Sequence, residues 1–177
     1  MKFSAPLALA CLATGAYAGP AVIQRNADTI AAVLAQVESA IGSLTTTVEK
    51  FSGDVSSVVS KAEVLVATID SGATAVQGSS SINLQEALQL LPAVDRLRDS
   101  GSALSKELVA RRAVVQATGQ CDQTRTQIDH IFESSSRLIA VFVSKVPVAA
   151  QEIANKKASQ VTQVLKQAKD DFAQGKC

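Results

Sequence analysis

Few residues in this sequence are suited to catalytic chemistry, and the only histidine is His130. A lone histidine needs a nucleophile or an acid beside it to act as a general base, and the chain has neither a G-x-S-x-G pattern nor a glycine-rich phosphate loop. The carboxylates of Asp170 and Asp171 occupy adjacent helical positions, which do not converge on one substrate. The sequence therefore predicts no enzyme and no cofactor, and it places His130 at the surface or at the boundary of the core.

The first twenty residues have the layout of a secretory signal. Lys2 precedes an apolar segment around residues 7–12, and Ala16-Tyr17-Ala18 is a small-residue cleavage site. The alternative is a membrane anchor or a buried helix, but the apolar stretch is shorter than the ~20 residues that cross a bilayer. We expect residues 1–18 to be removed and residues 19–177 to form a single domain, because a chain of this length builds one sizeable core.

The secreted chain would be electrically neutral. Loss of Lys2 reduces the 17 Lys and Arg residues to 16, equal to the 16 Asp and Glu residues. No attraction to nucleic acid or to anionic lipid is therefore expected. A transmembrane segment is not expected either, since the apolar residues 138–143 are too few to span a bilayer and are followed by Lys145.

The rest of the chain has the periodicity of amphipathic helices. Asn83 and Glu86 have the spacing of a capping box at the start of the third helix, Gly119 ends that helix, and Pro147 opens the fifth. Pro92 must kink or restart the third helix, because it has no backbone donor. The fold class predicted is all-α, an antiparallel bundle of about five long helices. The apolar stripes cover residues 23–51, 55–76, 84–108, 121–142 and 147–172.

The predicted hairpin of the fourth and fifth helices brings Cys121 beside Cys177. In an oxidising compartment this even pair predicts a disulfide. The alternatives are two free thiols or a metal site, and a zinc ion would need further ligands that the sequence does not supply.

The interior of the bundle must be filled mainly by Val, Ala, Ile and Leu, since residues 19–177 contain no Trp, Tyr or Met. Long helices with small aliphatic faces can pack closely around one axis. They can also leave an elongated apolar void that a fatty acyl chain would fill. The sequence allows both interpretations. The apolar residues 138–143 belong to the core if the helices pack closely, and they line the void if the helices leave one.

A ligand site would lie along the inward face of the fourth helix. Ser135 is the one polar residue on that stripe, and its hydroxyl could meet a carboxylate head group. The alternative is a small core residue that bonds the carbonyl one turn back. The candidate ligand-binding residues are Ile131, Phe132, Ser135, Leu138, Ile139 and Phe142 on the fourth helix, Leu104, Ser105 and Leu108 on the third, and Val161 and Leu165 on the fifth.

Three stretches connect the chain to a known family. They are "FSGD" at residues 51–54, "NLQEALQLLPAVDRL" at residues 83–97 and "VSKVPVAAQEIA" at residues 143–154. In their order and spacing the chain resembles the fungal hydrophobic surface binding protein A family, also called cell wall galactomannoproteins. The resemblance covers essentially all of residues 19–177.

The resemblance implies a secreted helical protein that binds long-chain fatty acids in an internal cavity. The alternative is a surface-active protein that adsorbs to hydrophobic surfaces by opening its bundle, with a secreted hydrolase such as a cutinase as a recruited partner. Some relatives carry Ser/Thr-rich stalks and GPI tails, whereas this chain ends soon after the fifth helix. We therefore expect a freely secreted or loosely wall-associated protein without a GPI anchor. Its cysteine pair is predicted from the residues and not from the family.

Overall fold

The computed structural model of the protein describes residues 21–177, with side chains from residue 26 onward. The predicted secretory signal and the side chain of Ile23 lie outside the described residues. The described part contains five helices and is otherwise turns and loops, so the all-α prediction is confirmed. The helices are α1 Ala21–Glu49, α2 Ser56–Gly78, α3 Leu84–Ala117, α4 Cys121–Lys145 and α5 Val148–Asp171.

Local signals in the sequence set the boundaries of α3 and α5. The capping box is present: Glu86 N–H donates to Asn83 Oδ1 (2.9 Å) and Asn83 N–H donates to Glu86 Oε2 (2.7 Å). Gly119, with φ +69°, follows the end of α3 in the left-handed conformation that glycine adopts freely. Pro147 is the residue immediately before α5 rather than its first helical residue.

Pro92 lies inside α3, and the helix continues through it. Of the two predicted outcomes, a kink or a restart, the structure therefore excludes the restart. Leu90 and Val94, on either side of Pro92, are both buried in the core. Their packing offsets the backbone hydrogen bond that proline cannot donate.

The five helices are arranged as a closed ring. Along the chain, successive helices reverse direction, so α1, α3 and α5 all point the same way. In space, α1 packs against α2 and α3, α2 packs against α4, and α5 closes the circle by packing against both α3 and α4. The order around the ring is α1, α2, α4, α5, α3, and the apolar faces of all five helices meet around one axis.

The two ends of the ring are held differently. At the hinge end, formed by residues 79–83 and 146–147, Ile82 N–H donates to the carbonyl of Lys145 (3.0 Å). The Lys145 ammonium donates to the carbonyls of Gln77 (2.8 Å) and Ser79 (2.7 Å), and so satisfies carbonyls at the end of α2.

The disulfide end comprises residues 50–55, 118–120 and 172–177. Cys121 and Cys177 form a disulfide there, with a Cα–Cα distance of 5.4 Å. Beneath the bridge Phe172 is completely buried in a small cluster with Phe51, Val115 and Ile128. The disulfide thus fixes the chain after α5 over an apolar plug that closes this end of the ring.

Removal of the disulfide by Cys121→Ser with Cys177→Ser should lower the free energy of unfolding by up to about 4 kcal/mol, because the bridge closes a loop with a sequence separation of 56 residues. Urea denaturation followed by far-UV circular dichroism measures this loss. Each single replacement should cost about as much as the double one, and equal stability of oxidised wild type and double variant would show that the bridge contributes nothing.

Gly72 permits the close approach of α1 and α2. A Cβ atom on Gly72 would lie 2.6 Å from Cγ1 of Val33, a stiff β-branched side chain that is itself buried. We expect Gly72→Ala to lower the free energy of unfolding by about 1–3 kcal/mol through overpacking. Gly42→Ala is the matched control, since Gly42 lies mid-helix in α1 with open space around it, and should raise stability by about 0.5–1 kcal/mol. Two changes of the same sign in urea denaturation would contradict this interpretation.

Candidate functional site

An apolar cavity lies along the axis of the ring, and each of the five helices contributes to its wall. The cavity has a volume of ≈ 90 Å³. This volume is small for a space bordered by all five helices, so the cavity is a narrow slot. Its lining residues are Val37 and Ile41 (α1), Leu65 and Ile69 (α2), Leu97, Arg98, Gly101, Leu104, Ser105 and Leu108 (α3), Ile128, Ile131, Ser135, Leu138 and Ile139 (α4), and Val161, Val164, Leu165 and Ala168 (α5).

The void follows from the shape of these side chains. Among the described residues, none that lines the cavity is aromatic, and most are branched aliphatics. Five helices in a ring hold their axes farther from the centre than four would, and short aliphatic side chains do not reach across that distance. The result is a slot with almost no polar surface, which offers little to water.

Nine of the eleven predicted ligand-binding residues line this cavity, all except Phe132 and Phe142. The nine are Leu104, Ser105 and Leu108 of α3, Ile131, Ser135, Leu138 and Ile139 of α4, and Val161 and Leu165 of α5.

Phe132 points away from the slot. The Lys169 ammonium lies 4.6 Å from the centre of its ring and forms an ion pair with Asp129 at 2.8 Å. The reason is helical geometry, because Phe132 follows Ile131 by one residue and is therefore rotated about 100° around α4. It belongs to the seam between α4 and α5 and not to the cavity wall.

Phe142 has the right helical spacing but lies beyond the end of the cavity. It faces a shallow cleft near the hinge end with Leu88, Leu91, Val146 and Ile153. The cavity does not extend that far, because the connection between α4 and α5 closes the ring there.

Ser135 lines the cavity, and its hydroxyl has no hydrogen-bond partner among the side chains and backbone groups described from residue 26 onward. The neighbouring Ser136 makes the bond that was the alternative for Ser135, since its hydroxyl donates to the Phe132 carbonyl at 2.7 Å. Ser105 on α3 is the other hydroxyl in the wall, and it too is without a partner in the described part of the chain. The slot therefore presents two hydroxyls that are available to a ligand.

Sequence reasoning missed Arg98, the one charged residue that lines the cavity within the described part of the chain. Its guanidinium forms ion pairs with Asp99 (2.8 Å) and Asp95 (3.2 Å), and Asp95 is also paired with Lys157 of α5 (2.6 Å). The hydrogen bond from Lys157 lowers the pKa of Asp95, and the hydrogen bond to Asp99 raises the pKa of Arg98. Arg98 precedes Gly101 by three residues and Ser105 by seven, so helical spacing could have placed it on the inner face.

The α1 and α2 walls were missed for a different reason. Val37, Ile41, Leu65 and Ile69 were predicted as members of apolar stripes, but their place opposite α4 depends on the order of helices around the ring. Nothing in a single sequence states that order.

The seam between α3 and α5 connects the cavity to an outer groove. Arg98, Ser105 and Val164 line both spaces. Most residues that line the outer groove have polar side chains, among them Ser102, Lys106, Gln160, Gln163 and Gln167, and the groove also contains Val109 and Asp171. The inner slot and the solvent are thus separated at this seam by a single layer of side chains.

In the described residues no group of three His, Cys, Asp or Glu side chains is placed to hold a metal ion. His130 is exposed on α4. Among the same residues, no helix has the length and hydropathy required to cross a membrane.

Several solved structures share this fold. Ligand binding domain 1 of the Penicillium marneffei MP1 protein, complexed with arachidonic acids, has a TM-score of 0.81 at 18% identity, covering 84% of this chain and 99% of that one. Domain 2 of that protein, complexed with multiple arachidonic acids, has a TM-score of 0.80 at 19% identity (83% and 96%). The AfMP4P protein in complex with palmitic acid has a TM-score of 0.77 at 15% identity (83% and 99%).

Sequence comparison identifies the family. Cell wall mannoprotein 1 of Aspergillus fumigatus is 25% identical over 173 residues, which are 97% of this chain, and the chain spans 60% of the length of that relative. The family model described as hydrophobic surface binding protein A matches residues 27–144, from the first turns of α1 to the end of α4. The resemblance inferred from residues 51–54, 83–97 and 143–154 is confirmed, and the chain belongs to the hydrophobic surface binding protein A family.

Proposed function

We propose that the protein is a non-enzymatic binder of long-chain fatty acids, which it holds in the central cavity. The observation that carries this proposal is the narrow apolar slot along the ring axis, with two unpaired hydroxyls and one arginine as its polar groups. The structures of similar fold that are complexed with arachidonic or palmitic acid support it.

The bound form must be wider than the structure described here. Ligand pockets have volumes of about 300–1,000 Å³, and a cavity of about 150 Å³ holds a molecule the size of benzene. The ≈ 90 Å³ of this slot is less than either. An acyl chain therefore enters by separating helices, and the aliphatic wall, whose contacts are not directional, then closes on it.

Such separation is easiest at the seams around α5. The α4–α5 and α3–α5 contacts are less extensive than those of α1 with α2 and α3. No described residue of α5 after Ala154 is buried until Phe172. The middle of α5 is thus a lightly packed wall between two fixed ends.

A second function, attachment to hydrophobic surfaces, has support from a patch at the hinge end. Leu84, Leu88, Val148 and Ile153 are exposed large apolar residues at the beginnings of α3 and α5. Residues 84 and 88 are one turn apart, and Leu88 and Ile153 share one shallow cleft. Exposed apolar groups of this size favour contact with an apolar phase. Adsorption through this patch needs no opening of the bundle, in contrast to the mode expected from the sequence.

The cellular setting belongs to the same proposal. The disulfide and the similarity to a cell wall mannoprotein are consistent with release of the protein to the cell exterior or wall. We propose that residues 1–18 are removed on this route and that residues 19–177 form a single domain. A fatty acid is the ligand we propose, and a secreted hydrolase is a further candidate partner at an apolar surface.

Organic extraction of protein expressed from residue 19, followed by mass spectrometry, should release a bound fatty acid, and the stripped protein should rebind palmitic acid saturably. Gly101→Leu should weaken rebinding at least about tenfold, since its side chain would occupy the slot beside Val164, whose Cγ1 lies 3.7 Å from a Cβ at position 101. Isothermal titration measures both proteins.

Gly42→Leu is the control for added bulk in a helix, because nothing lies within 4 Å of a Cβ at that position. It should rebind palmitic acid like the wild type. A stripped wild-type protein that takes up no fatty acid, while its circular dichroism remains helical, would refute the cavity function.

Replacement of the patch by Leu84→Gln, Leu88→Gln, Val148→Gln and Ile153→Gln should reduce adsorption to polystyrene beads several-fold, since the apolar area available to the surface is lost. Depletion of protein from solution measures adsorption. Val64→Gln, at an exposed apolar position on α2, is the matched control and should adsorb like the wild type. Equal adsorption by wild type, control and patch variant would exclude the patch as the contact surface, and saturable fatty acid binding should be unaffected by the quadruple replacement.

A further inference from the structure

We propose that Arg98 anchors the carboxylate head group of the ligand, and that the ligand reaches the cavity through the seam between α3 and α5. This inference rests on the proposed function and adds the orientation of the ligand, its route and the residue that selects a carboxylate over a neutral lipid.

The position of Arg98 is the first argument. Its side chain, 31% exposed, lines the apolar slot on one side and the outer groove, which is open to solvent, on the other. A ligand that lies across this boundary has its hydrocarbon chain in the slot and its polar end at the guanidinium. No other charged residue of the described chain lines the cavity.

The chemistry of the guanidinium is the second argument. Arginine keeps its charge and presents a planar set of donors that matches a carboxylate, so a charged head group gains ion-paired hydrogen bonds that an alcohol or ester does not. The cavity hydroxyls of Ser105 and Ser135 can bond acids and neutral lipids alike. Discrimination between the two ligand classes therefore falls to Arg98.

The present partners of Arg98 suit an exchange of carboxylates. Asp99 accepts hydrogen bonds from Nε (3.0 Å) and Nη2 (2.8 Å), but the Asp99 side chain is 67% exposed, and such a surface pair contributes little to stability. Asp95 is held by Lys157 across the seam at 2.6 Å and stays in place when Asp99 leaves. A ligand carboxylate can thus replace Asp99 while Asp95 keeps the guanidinium at the mouth.

The construction of the seam is the third argument. Gly101 on α3 faces Val164 on α5, with only ordinary van der Waals spacing for a single added Cβ. Ser102 and Ser105 line the outer groove beside it with short side chains. The cross-seam hydrogen bond between Arg98 Nη1 and Gln160 Oε1 is long, at 3.5 Å. Little side-chain bulk therefore has to move to admit an acyl chain at this point.

The anchor is tested by titrating stripped protein with palmitic acid and with hexadecanol at pH 8. Arg98→Met keeps the aliphatic stem and removes the charge, and it should lower the preference for acid over alcohol about tenfold or more. Arg96→Met is the matched control, because Arg96 pairs with Glu38 on the outer surface and does not line the cavity. Asp99→Asn should raise affinity for the acid several-fold, since it removes the competing carboxylate.

The outcomes separate this inference from the proposed function. A wild type that binds neither ligand refutes the function itself. If Arg98→Met leaves the ratio of acid affinity to alcohol affinity unchanged, for example by weakening both ligands equally, the anchor is overturned while the function stands.

The route is tested by stopped-flow measurement of palmitic acid uptake. Ser102→Trp places bulk in the outer groove but not in the cavity, so it should slow both association and release several-fold with little change in the dissociation constant. Ala103→Trp, at the next and exposed position of α3, is the control. Uptake at the wild-type rate by both variants would overturn the α3–α5 route.

Discussion

The closure of five helices into a ring whose side chains are too short to fill its centre is the constraint on which the rest of the structure depends. Each helix buries its flanks against two neighbours, and its innermost residues face the axis. Void volume in a core forfeits dispersion contacts and costs stability. This ring tolerates the cost because its seams are well buried elsewhere, above all between α1, α2 and α3, where Ile30, Leu44 and Leu65 are almost completely enclosed.

The two ends of the ring are fixed by a disulfide and by side-chain hydrogen bonds to backbone carbonyls. At the disulfide end, Cys121–Cys177 lies over the buried Phe172, whose carbonyl accepts a hydrogen bond from Arg125 Nε (3.0 Å). At the hinge end the Lys145 ammonium joins the α4–α5 connection to the end of α2. Between these ends α5 is held by ion pairs and small residues. If the ring opens for a ligand, as proposed, these fixed ends would favour sideways motion of the mid-bundle seams over loss of helical hydrogen bonds.

The fold was largely predictable from the sequence, and the site was predictable in part. Periodicity gave five helices, and the Asn83–Glu86 box and Gly119 set boundaries because each depends on local backbone chemistry. Pro92 did not restart α3, since buried neighbours outweigh one lost hydrogen bond. Phe132 was misplaced because one residue of rotation decides whether a side chain faces the axis or a seam. The α1 and α2 walls required the order of helices around the ring, which depends on contacts between distant parts of the chain.

A ligand bound along the underpacked axis, as proposed, would be a component of the core rather than an addition to a finished protein. An acyl chain in the slot would supply the dispersion contacts that the aliphatic wall lacks, and it would bury apolar surface of its own at about 25 cal/mol per Å². A ligand that binds only the folded ring also stabilises it by mass action. Because the wall is made of interchangeable aliphatic contacts, it discriminates poorly between chains of similar length. Selectivity between ligands would therefore arise at the edge of the apolar slot, where a polar group can contact the ligand. In the described structure this edge is the α3–α5 seam at Arg98.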